Sequence, residues 1–396
     1  MQQRRLALML AALLSPSAMA GGLALYETSA ANSALANAGA AAGAQGAETI
    51  ASNPAGMTRL AGTQLQVNGG AVYGDLELDL EQGGNNGGNA LQSAPLGSLY
   101  LTHALDEQWV AGLGLFGSHG LGIDYGEGWQ GRGYVQSAKL TGIAFAPSLA
   151  YRVDDHWSVG ASLIAMHGAL EASLDMTPNG STSQAFSDSD WAYGASFGVL
   201  YELDQDSRIG LSYFSELKWE LDDQPLSRLN GAGLGVKMMI PQTLTLTLSG
   251  YHQLNPQWAL LASANWQQWS RFGEVDLASG QQSRTLDMQY QDTWHLSLGT
   301  QFDVTPALRL SSGIGYDSSA VDDVHRTVTL PLGESWRWGL GASYQLTPAT
   351  RLEASYTLAW LGDMAVEQDG VGRPQLSGTY HNSYLNFLSI GVQHQF

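Results

Sequence analysis

Residues 21–60 are GGLALYETSAANSALANAGAAAGAQGAETIASNPAGMTRL, a stretch unlike everything that follows it in the chain. It is rich in Ala, Gly and Ser, nearly uncharged, and shows no alternation of apolar with polar residues. From Gln64 to Phe396, apolar and polar residues instead alternate in short runs, which is the pattern of β-strands with two unlike faces. The sequence therefore predicts a small, loosely helical N-terminal piece before a long β domain.

The first 20 residues have the features of a secretory signal peptide. Arg4 and Arg5 precede an apolar run at residues 6–14, and Ala18-Met19-Ala20 has the A-x-A pattern of a cleavage site. The run is shorter than the ~20 residues that a membrane-spanning helix needs. We expect residues 1–20 to be removed and the mature chain to begin at residue 21.

Composition excludes several classes of protein. The chain has no cysteine, so a disulfide scaffold does not hold this exported protein together. Its formal net charge is −19, and its lysines and arginines form no basic run that would neutralise nucleic-acid phosphates. No nucleophile elbow or metal-ligand spacing is present. The sequence therefore predicts no enzyme, no metal site, no cofactor and no nucleic-acid partner.

Short turn signals recur through the β domain at a regular spacing. They begin at residues 105, 153, 203, 254, 303 and 346, which lie 43 to 51 residues apart. Each is flanked by two alternating runs, and longer polar, Gly-rich segments separate successive turns. This rhythm is typical of outer-membrane β-barrels, whose short turns face the periplasm. A water-soluble sandwich with an alternating core is the alternative.

The alternation also predicts which side chains face lipid. On this interpretation Trp157, Leu163, Leu211 and Trp360 point outward, whereas their sequence neighbours point into the lumen. Tryptophan also stands just past three of the turns, where the aromatic belt of a barrel meets the lipid headgroups: Trp109, Trp157 and Trp258.

The strand count follows from the turns. Six turns join twelve strands, and one further strand at each end, residues 64–80 and 383–396, makes fourteen. An even number is required when both termini lie on one side of the membrane. The predicted fold is an all-β, 14-stranded antiparallel transmembrane β-barrel with a small N-terminal helical plug in its lumen.

Several motifs resemble one family of outer-membrane channels. Asn53-Pro54-Ala55-Gly56-Met57 ends the Ala/Gly-rich segment, Trp129 and Tyr134 precede the fourth strand, and Trp269-Ser270 and Tyr316-Asp317 stand in the later part of the chain. These residues resemble the FadL-type channels for long-chain fatty acids and related hydrocarbons, and the similarity spans the whole mature chain. Ala320 departs from that pattern, because it stands where the family has Pro.

The resemblance implies a plug at residues 21–61 and a barrel at residues 62–396. It also implies that hydrophobic ligands are captured outside, pass to a lumen pocket and leave sideways through the wall after the plug rearranges, with no cofactor. The expected location is the outer membrane of a Gram-negative cell. The expected partners are the hydrophobic ligand, outer-membrane lipid and lipopolysaccharide, and the protein is expected to be a monomer.

Two motifs are candidates for gating. Asn53, Pro54 and Ala55 end a flexible segment just before the first strand, so we expect Asn53 to hydrogen-bond to the inner wall and to set the closed state; an ordinary turn before Pro is the alternative. Glycines crowd the third strand, where they mark either a bulge or a strand that tapers into a loop. The resemblance favours an inward kink at Phe116, Gly117 and Ser118, behind a lateral opening.

Two further sets are candidates for ligand contact. The loop at residues 221–239 has apolar residues that either form an initial hydrophobic groove or pack among themselves: Leu226, Leu229, Leu234, Met238 and Met239. A fatty-acid carboxylate would need a lumen-facing cation. Alternation places four cations inward, with Trp219, Leu308, Trp336 and Trp338 as lipid-facing neighbours: Lys218, Lys237, Arg309 and Arg337. A hydrocarbon would need no such cation, so the choice of ligand stays open.

Two functions compete at this stage. The first is passive transport of hydrophobic molecules through a plugged barrel, and the second is a general porin for hydrophilic solutes. The N-terminal segment favours the first, because an open porin has no use for some forty residues of this kind before its first strand.

Overall fold

A computed structural model describes residues 26–175, 183–223, 236–279, 282–369 and 375–396. The predicted signal peptide lies outside these residues. The described strands, in chain order, are β1 (Thr63–Asp75), β2 (Leu78–Leu80), β3 (Ala94–Ala104), β4 (Trp109–Asp124), β5 (Ser137–Arg152), β6 (Trp157–Asp175), β7 (Ser183–Glu202), β8 (Ser207–Phe214), β9 (Leu217–Asp223), β10 (Val236–Gln242), β11 (Thr245–Gln253), β12 (Trp258–Gln267), β13 (Glu274–Ser279), β14 (Gln282–Asp287), β15 (Thr293–Asp303), β16 (Leu308–Asp317), β17 (Ser335–Thr347), β18 (Thr350–Gln368) and β19 (Leu376–Gln395).

Fourteen of these strands close into one antiparallel barrel. Strands β1, β3–β8, β11, β12 and β15–β19 each pair with the next, and β19 pairs back with β1 from Gln64↔Gln395 to Asp75↔Tyr384. The closure leaves no free edge in the wall, which a sheet in lipid requires. The predicted fourteen-strand barrel is therefore confirmed.

The six short turns share one hydrogen-bonding device. Asp154 Oδ1 accepts hydrogen bonds from the amides of His156 and Trp157, each at 2.8 Å. These donors lower the pKa of the Asp154 carboxyl. An Asp, Asn or Thr side chain accepts from an amide two or three residues further on in every turn: Asp106, Asp154, Asp204, Asn255, Thr305 and Thr347. Residues with a short polar side chain suit this position because they can bond their own backbone.

The outer face of the barrel is apolar, as the alternation predicts. Trp157, Leu163, Leu211 and Trp360 are 46%, 70%, 48% and 48% exposed on it. Next to the turns, three aromatic pairs face each other across neighbouring strands, with ring centroids 4.4–4.6 Å apart: Trp109–Tyr151, Trp157–Tyr201 and Trp258–Phe302. A packed soluble interior would bury these residues, so the sandwich alternative is wrong.

A second, four-stranded sheet lies at the other end of the barrel from the turns, in the order β14-β13-β10-β9. A short helix, α3 (Trp269–Phe272), packs with it. Trp219 of β9 is 1% exposed, and its Nε1 donates a hydrogen bond to the Met166 carbonyl at 3.3 Å. The expectation that Trp219 faces lipid and Lys218 faces the lumen is wrong. The chain leaves the barrel after Phe214, so the alternation of β9 no longer refers to lipid and lumen.

The N-terminal residues contain three short helical elements rather than one longer helix. These are α1 (Ala30–Ala34), α2 (Thr49–Ser52) and a 3₁₀ helix (Pro54–Arg59). Ser29 Oγ caps α1 by accepting a hydrogen bond from the Asn32 amide at 3.1 Å. The backbone then turns through left-handed conformations at Ala36 and Asn37, with φ of 47° and 67°. None of the described helices is long and apolar enough to cross a membrane.

Candidate functional site

Residues 26–60, here called the N-terminal segment, lie against the inner face of the barrel wall. Most of their side chains are buried, and their hydrogen bonds reach strands on several sides of the barrel. These bonds include Ser33 Oγ–Thr357 Oγ1 at 2.8 Å, Gly39 N–Ser263 Oγ at 2.9 Å, Ala41 N–Ser249 Oγ at 3.0 Å and Thr58 Oγ1–Ser158 Oγ at 2.8 Å. The small side chains of the segment let its backbone approach the wall closely enough for these bonds to form.

Asn53 bonds both to the N-terminal segment and to the wall. Its Nδ2 donates to the Ala41 carbonyl at 2.7 Å and to the Val199 carbonyl of β7 at 3.1 Å. Its Oδ1 accepts from the Ala55 amide at 3.0 Å, which begins the 3₁₀ helix. The fully buried Asn53 amide thus links two parts of the segment to one wall strand. Its predicted role in setting a closed state stays a prediction.

Two wall glycines make room for the Asn53-Pro54-Ala55 motif. Gly160 of β6 and Gly198 of β7 lie directly opposite each other in the register. A Cβ atom at Gly198 would lie 1.8 Å from Asn53 Oδ1, and one at Gly160 would lie 2.4 Å from the Ala55 nitrogen. Any other residue type at these positions would push the motif away from the wall.

A second pair of opposed glycines lies under the end of α1. Gly313 of β16 and Gly339 of β17 are register partners. Cβ atoms there would lie 2.0 Å from the Leu35 carbonyl oxygen and 2.4 Å from the Ser33 carbonyl oxygen. Sequence reasoning missed both pairs. Their signal was the recurrence of Gly at lumen-facing positions of adjacent strands.

A buried ionic cluster holds the start of the N-terminal segment. Arg337 Nη1 donates to Glu27 Oε1 at 2.8 Å, and Arg337 Nε donates to Asp317 Oδ2 at 2.9 Å. The Tyr26 hydroxyl donates to Asp317 Oδ1 at 3.0 Å, and the Arg337 guanidinium lies 4.9 Å from the Tyr26 ring centre. These side chains are almost fully shielded from solvent, so each charge depends on its partner.

His295 extends the same cluster toward α1. Its Nδ1 lies 2.9 Å from Asp317 Oδ1 and its Nε2 lies 3.1 Å from the Ala36 carbonyl oxygen. Alternation correctly placed Arg337 in the lumen, but sequence reasoning missed that Glu27, His295 and Asp317 surround it. Arg337 therefore attaches the start of the N-terminal segment to the barrel wall.

The other predicted cations have separate environments. Arg309 Nε donates to Asp303 Oδ1 at 2.6 Å, and its Nη1 donates to Gln45 Oε1 of the N-terminal segment at 3.3 Å. Lys218 is half exposed and lies 3.5 Å from Glu216, so it does not face the lumen. Lys237 lies on β10, where only its backbone is described. The three cations whose side chains are described, Lys218, Arg309 and Arg337, do not converge on one site.

Glu48 belongs to the N-terminal segment and lies near Glu353 of β18. The Glu48 amide donates to Gln66 Oε1 at 3.1 Å. One carboxylate oxygen each of Glu48 and Glu353 has no hydrogen-bond partner. Burial, and then the charge of Glu353, raise the pKa of Glu48 to about 7. The packing of Glu48 near Glu353 therefore depends on the protonation of Glu48 near neutral pH.

A cavity of about 180 Å³ lies between the N-terminal segment and the wall, and we call it the chamber. Five larger apolar side chains line it: Phe116, Met166, Phe214, Leu217 and Trp269. The N-terminal segment contributes Tyr26, Thr28, Asn32, Asn37, Ala40, Ala51 and Ser52. Hydroxyl and amide side chains of the wall complete the lining with Gly117: Ser212, Ser215, Thr243, Thr245, Thr247, Asn265 and Gln267.

The wall beside the chamber contains a break in strand pairing. Strands β3 and β4 pair from Ala104↔Val110 only as far as Ser98↔Phe116, although β3 continues to pair with β1 as far as Ala94. Strand β4 continues to pair with β5, with a register shift between Gly117 and His119. There is thus no β3–β4 pairing between residues 94–97 of β3 and residues 117–121 of β4. We call this region the wall gap.

The predicted gating and loop residues fall in different places. Phe116 and Gly117 both line the chamber, and Gly117 also belongs to the wall gap, whereas only the backbone of Ser118 is described. Leu226, Leu229 and Leu234 lie outside the described residues, and the backbone of Met238 and Met239 forms part of β10. Within the described ranges, no set of three or more His, Asp or Glu side chains is arranged to hold a metal ion.

A closed fourteen-strand barrel with an apolar outer face and aromatic residues beside its turns is a transmembrane barrel of the outer-membrane type. Residues 11–396 match the family described as outer membrane protein transport protein (OMPP1/FadL/TodX). The chain belongs to this family of outer-membrane transport proteins, and the short turns therefore face the periplasm.

Relatives and solved structures agree with this assignment. The chain is 30% identical over 349 residues to a 47 kDa outer membrane protein of Pasteurella multocida, covering 79% of this chain and 81% of that one. It is 28% identical over 361 residues to a long-chain fatty acid transport protein of Escherichia coli, covering 78% and 80%. A FadL homologue of Pseudomonas aeruginosa has the same fold, with a TM-score of 0.84, 19% identity and coverage of 93% and 98%. The toluene transporter TodX of Pseudomonas putida has a TM-score of 0.66, 18% identity and coverage of 92% and 98%.

Proposed function

We propose that this protein carries hydrophobic small molecules passively across the outer membrane and releases them sideways through the wall gap. One observation carries the proposal. The chamber has the N-terminal segment on one side, and on another it has Phe116, the last residue of β4 that pairs with β3, and Gly117 of the wall gap. A ligand in the chamber would therefore lie next to the place where the wall lacks strand pairing.

On this proposal, residues 21–61 are a plug that closes the axial route, and residues 62–396 are the barrel. The hydrogen bonds of the N-terminal segment to β6, β7, β11, β12 and β18 support the plug role. The Arg337–Glu27 ion pair supports it too, because detaching the segment would leave a buried charge without its partner. Hydrophilic solutes would then have no continuous path along the barrel axis.

Ligand entry would begin at the extracellular sheet. Trp219, Leu221 and Ile240 form a buried apolar layer beneath β9 and β10, and Trp219 packs close to Gly168 of the wall. We propose that the segment between these strands, with Leu226, Leu229 and Leu234, and the start of β10, with Met238 and Met239, supply the first hydrophobic contact. Met suits such a surface because its side chain adapts to ligands of different shape.

Occupation of the chamber would act on the plug directly. Tyr26 and Ser52 both line the chamber. Tyr26 belongs to the ionic cluster, and Ser52 immediately precedes Asn53, so a ligand would contact one attachment point and the residue next to the other. We propose that ligand binding shifts the plug and so opens the route from the chamber to the wall gap. A ligand shifts such an equilibrium only by as much as it binds one state more tightly than the other.

The ligand class rests on the family and on the chamber. One relative is named as a transporter of long-chain fatty acids and one structural neighbour as a toluene transporter, and both ligands are hydrophobic. The apolar chamber residues Phe116, Phe214 and Trp269 fit such molecules. The hydrogen bonds of the N-terminal segment to several wall strands support this proposal over an open porin for hydrophilic solutes.

Gly117→Trp tests the route. A Cβ atom at Gly117 meets no other atom within 4 Å, and Gly117 pairs with the lipid-facing Ile143, so the indole would cover the outer mouth of the wall gap without displacing the barrel. We expect uptake of radiolabelled toluene, by cells that depend on this protein, to fall at least about tenfold. Gly250→Trp is the matched control, because Gly250 also has open space around it but lies away from the gap.

Two results would contradict the proposal. One is uptake by Gly117→Trp equal to that of Gly250→Trp, when both variants are folded and present in equal amount. The other is a large, steady conductance of the purified wild-type protein in a planar bilayer, because a plugged barrel conducts almost nothing and an open porin conducts freely.

A further inference from the structure

The chamber is lined by neutral groups. Among the described residues that line it there is no Lys, Arg or His, and no Asp or Glu. Its polar lining consists of hydroxyl groups and of the amides of Asn and Gln side chains, such as Thr247, Asn265 and Gln267. A ligand with a full charge would therefore enter a partly apolar site with no opposite charge to meet it, which is unfavourable.

A buried cation next to the chamber residue Tyr26 already has its partners. Arg337 belongs to the cluster beside Tyr26, and its Nη1 and Nε donate to Glu27 and Asp317 at 2.8 and 2.9 Å. A ligand carboxylate could take Arg337 only by displacing one of these two buried carboxylates. The same change would leave that carboxylate without its cation, so the exchange gains nothing.

One wall amide has an acceptor to spare. Asn265 is 3% exposed, and its Oδ1 has no hydrogen-bond partner. Its neighbour Gln267 is different, because Gln267 Oε1 accepts from Trp269 Nε1 at 2.7 Å and its Nε2 donates to the Tyr26 hydroxyl at 3.4 Å. A ligand hydroxyl would satisfy Asn265 in either orientation of the amide, since a hydroxyl both donates and accepts.

The volume limits the ligand further. A cavity of about 150 Å³ is known to hold a benzene molecule. The chamber, at about 180 Å³, has room for one aromatic ring with a small substituent. A long alkyl chain would extend beyond the chamber. Phe116 and Trp269 supply aromatic surfaces at its boundary, and rings pack well against other rings.

From these observations we infer that the chamber selects neutral molecules of about one ring in size, and that Asn265 favours those with a hydroxyl group over those with a carboxylate. This inference rests on the proposed function, because it assigns the chamber to the transported ligand. Asn265 is then a specificity-determining residue, and the other hydroxyl and amide groups of the chamber serve only as neutral lining.

Three probes that share one methyl-substituted ring and differ in the group opposite the methyl test the inference: toluene, 4-methylphenol and 4-methylbenzoate. We expect the purified protein, in calorimetric titrations at pH 7.5, to bind 4-methylphenol more tightly than toluene and at least about tenfold more tightly than 4-methylbenzoate. The difference in affinity between 4-methylphenol and 4-methylbenzoate should shrink at a pH below the pKa of 4-methylbenzoic acid, where that ligand is neutral. The wild-type protein at the low pH with 4-methylphenol controls for any effect of pH on the chamber.

Asn265→Leu separates a specificity role from a structural one. We expect the variant to bind 4-methylphenol about tenfold more weakly and toluene with unchanged affinity. Thr300→Val serves as a control, because the Thr300 hydroxyl on the neighbouring strand donates to the Ala259 carbonyl rather than lining the chamber.

Three results would overturn the inference: equal binding of 4-methylbenzoate and 4-methylphenol at pH 7.5, equal losses of toluene and 4-methylphenol in Asn265→Leu, or no binding of any probe. These results are distinct from failure of the proposed route. If the binding order holds but Gly117→Trp transports normally, the chamber assignment stands and the lateral exit is wrong.

Discussion

The barrel uses glycine in opposite ways at two places in its wall. At Gly198, the position of a missing Cβ is filled by the N-terminal segment, with Asn53 Oδ1 only 1.8 Å away. At Gly117, nothing lies within 4 Å of that position, and the pairing of β4 with β3 has ended one residue earlier. The first glycine lets two parts of the molecule approach closely. The second leaves a space, so the same residue type marks an attachment point in one strand and a gap in another.

The two glycines therefore predict opposite responses to a larger side chain. At Gly117 a larger residue should close a route, whereas at Gly198 it should loosen the N-terminal segment and open one. The largest expected effect, after the loss of uptake in Gly117→Trp, is at Gly198.

Gly198→Leu should displace Asn53. The leucine would occupy the space of the Asn53 amide, which would lose its hydrogen bond to the Val199 carbonyl. Overpacking costs about 1–3 kcal/mol, and an unpaired buried polar group costs about the same. We expect frequent openings in planar-bilayer recordings, where the wild-type protein is closed. The Gly250→Leu channel should stay closed. Openings of equal frequency in both variants would show that Gly198 has no special role in holding the N-terminal segment.

Arg337→Met should release the start of the N-terminal segment. The change leaves Glu27 and Asp317 buried without their shared guanidinium, which costs about 3–5 kcal/mol when one partner of a buried ion pair is removed. We expect amide hydrogen exchange of residues 26–36 to rise by about a hundredfold or more. The exposed Arg271 pairs with Glu274 at the surface, so Arg271→Met should change exchange little. Unchanged exchange in Arg337→Met would mean that the cluster does not hold the segment.

Glu48→Gln should have a smaller effect that depends on pH. The pKa of Glu48 is about 7 in the folded protein and 4.5 in its ordinary state, so the folded protein holds this proton more tightly. A raised carboxyl pKa means that stability is present at low pH and is lost as the pH rises from 4.5 to about 7. The full loss is on the order of 3 kcal/mol.

The neutral Gln avoids this loss at high pH. We expect slower hydrogen exchange of residues 46–52 in Glu48→Gln than in the wild type at pH 8.5, and nearly equal exchange at pH 4.5. A variant that exchanges faster than the wild type at pH 8.5 would show that the Glu48 carboxylate stabilises the contact, which contradicts this interpretation.

Much of the barrel could be predicted from the sequence, because lipid imposes a strict rule on each strand. Every second residue must be apolar, so Trp157, Leu163 and Trp360 could be assigned to the outer face without coordinates. The turns were equally clear, because each needs a short polar side chain such as Asp106 or Asn255 to accept backbone amides. The prediction that Trp219 of β9 faces lipid was wrong, because Trp219 belongs to the second sheet, which does not face lipid.

The lumen was harder to predict, because its contacts join residues far apart in the chain. Alternation places Arg337 inward, but nothing in the spacing shows that Glu27, some three hundred residues earlier, is its partner. The fit of Asn53 against Gly198 likewise depends on the closure of the whole barrel. The chamber was not predictable for the same reason, since Phe116, Trp269 and Tyr26 meet only in the folded protein.

The most direct test of the central claim is the accessibility of a single thiol in the wall gap. The chain has no cysteine, so Gly117→Cys gives one thiol and Gly250→Cys gives a matched thiol elsewhere in the wall. If the chamber and the wall gap form one path, a hydrophobic maleimide should label the Gly117→Cys variant. Excess toluene should slow labelling of Gly117→Cys but not labelling of Gly250→Cys. Equal labelling rates with and without toluene at both positions would contradict the account.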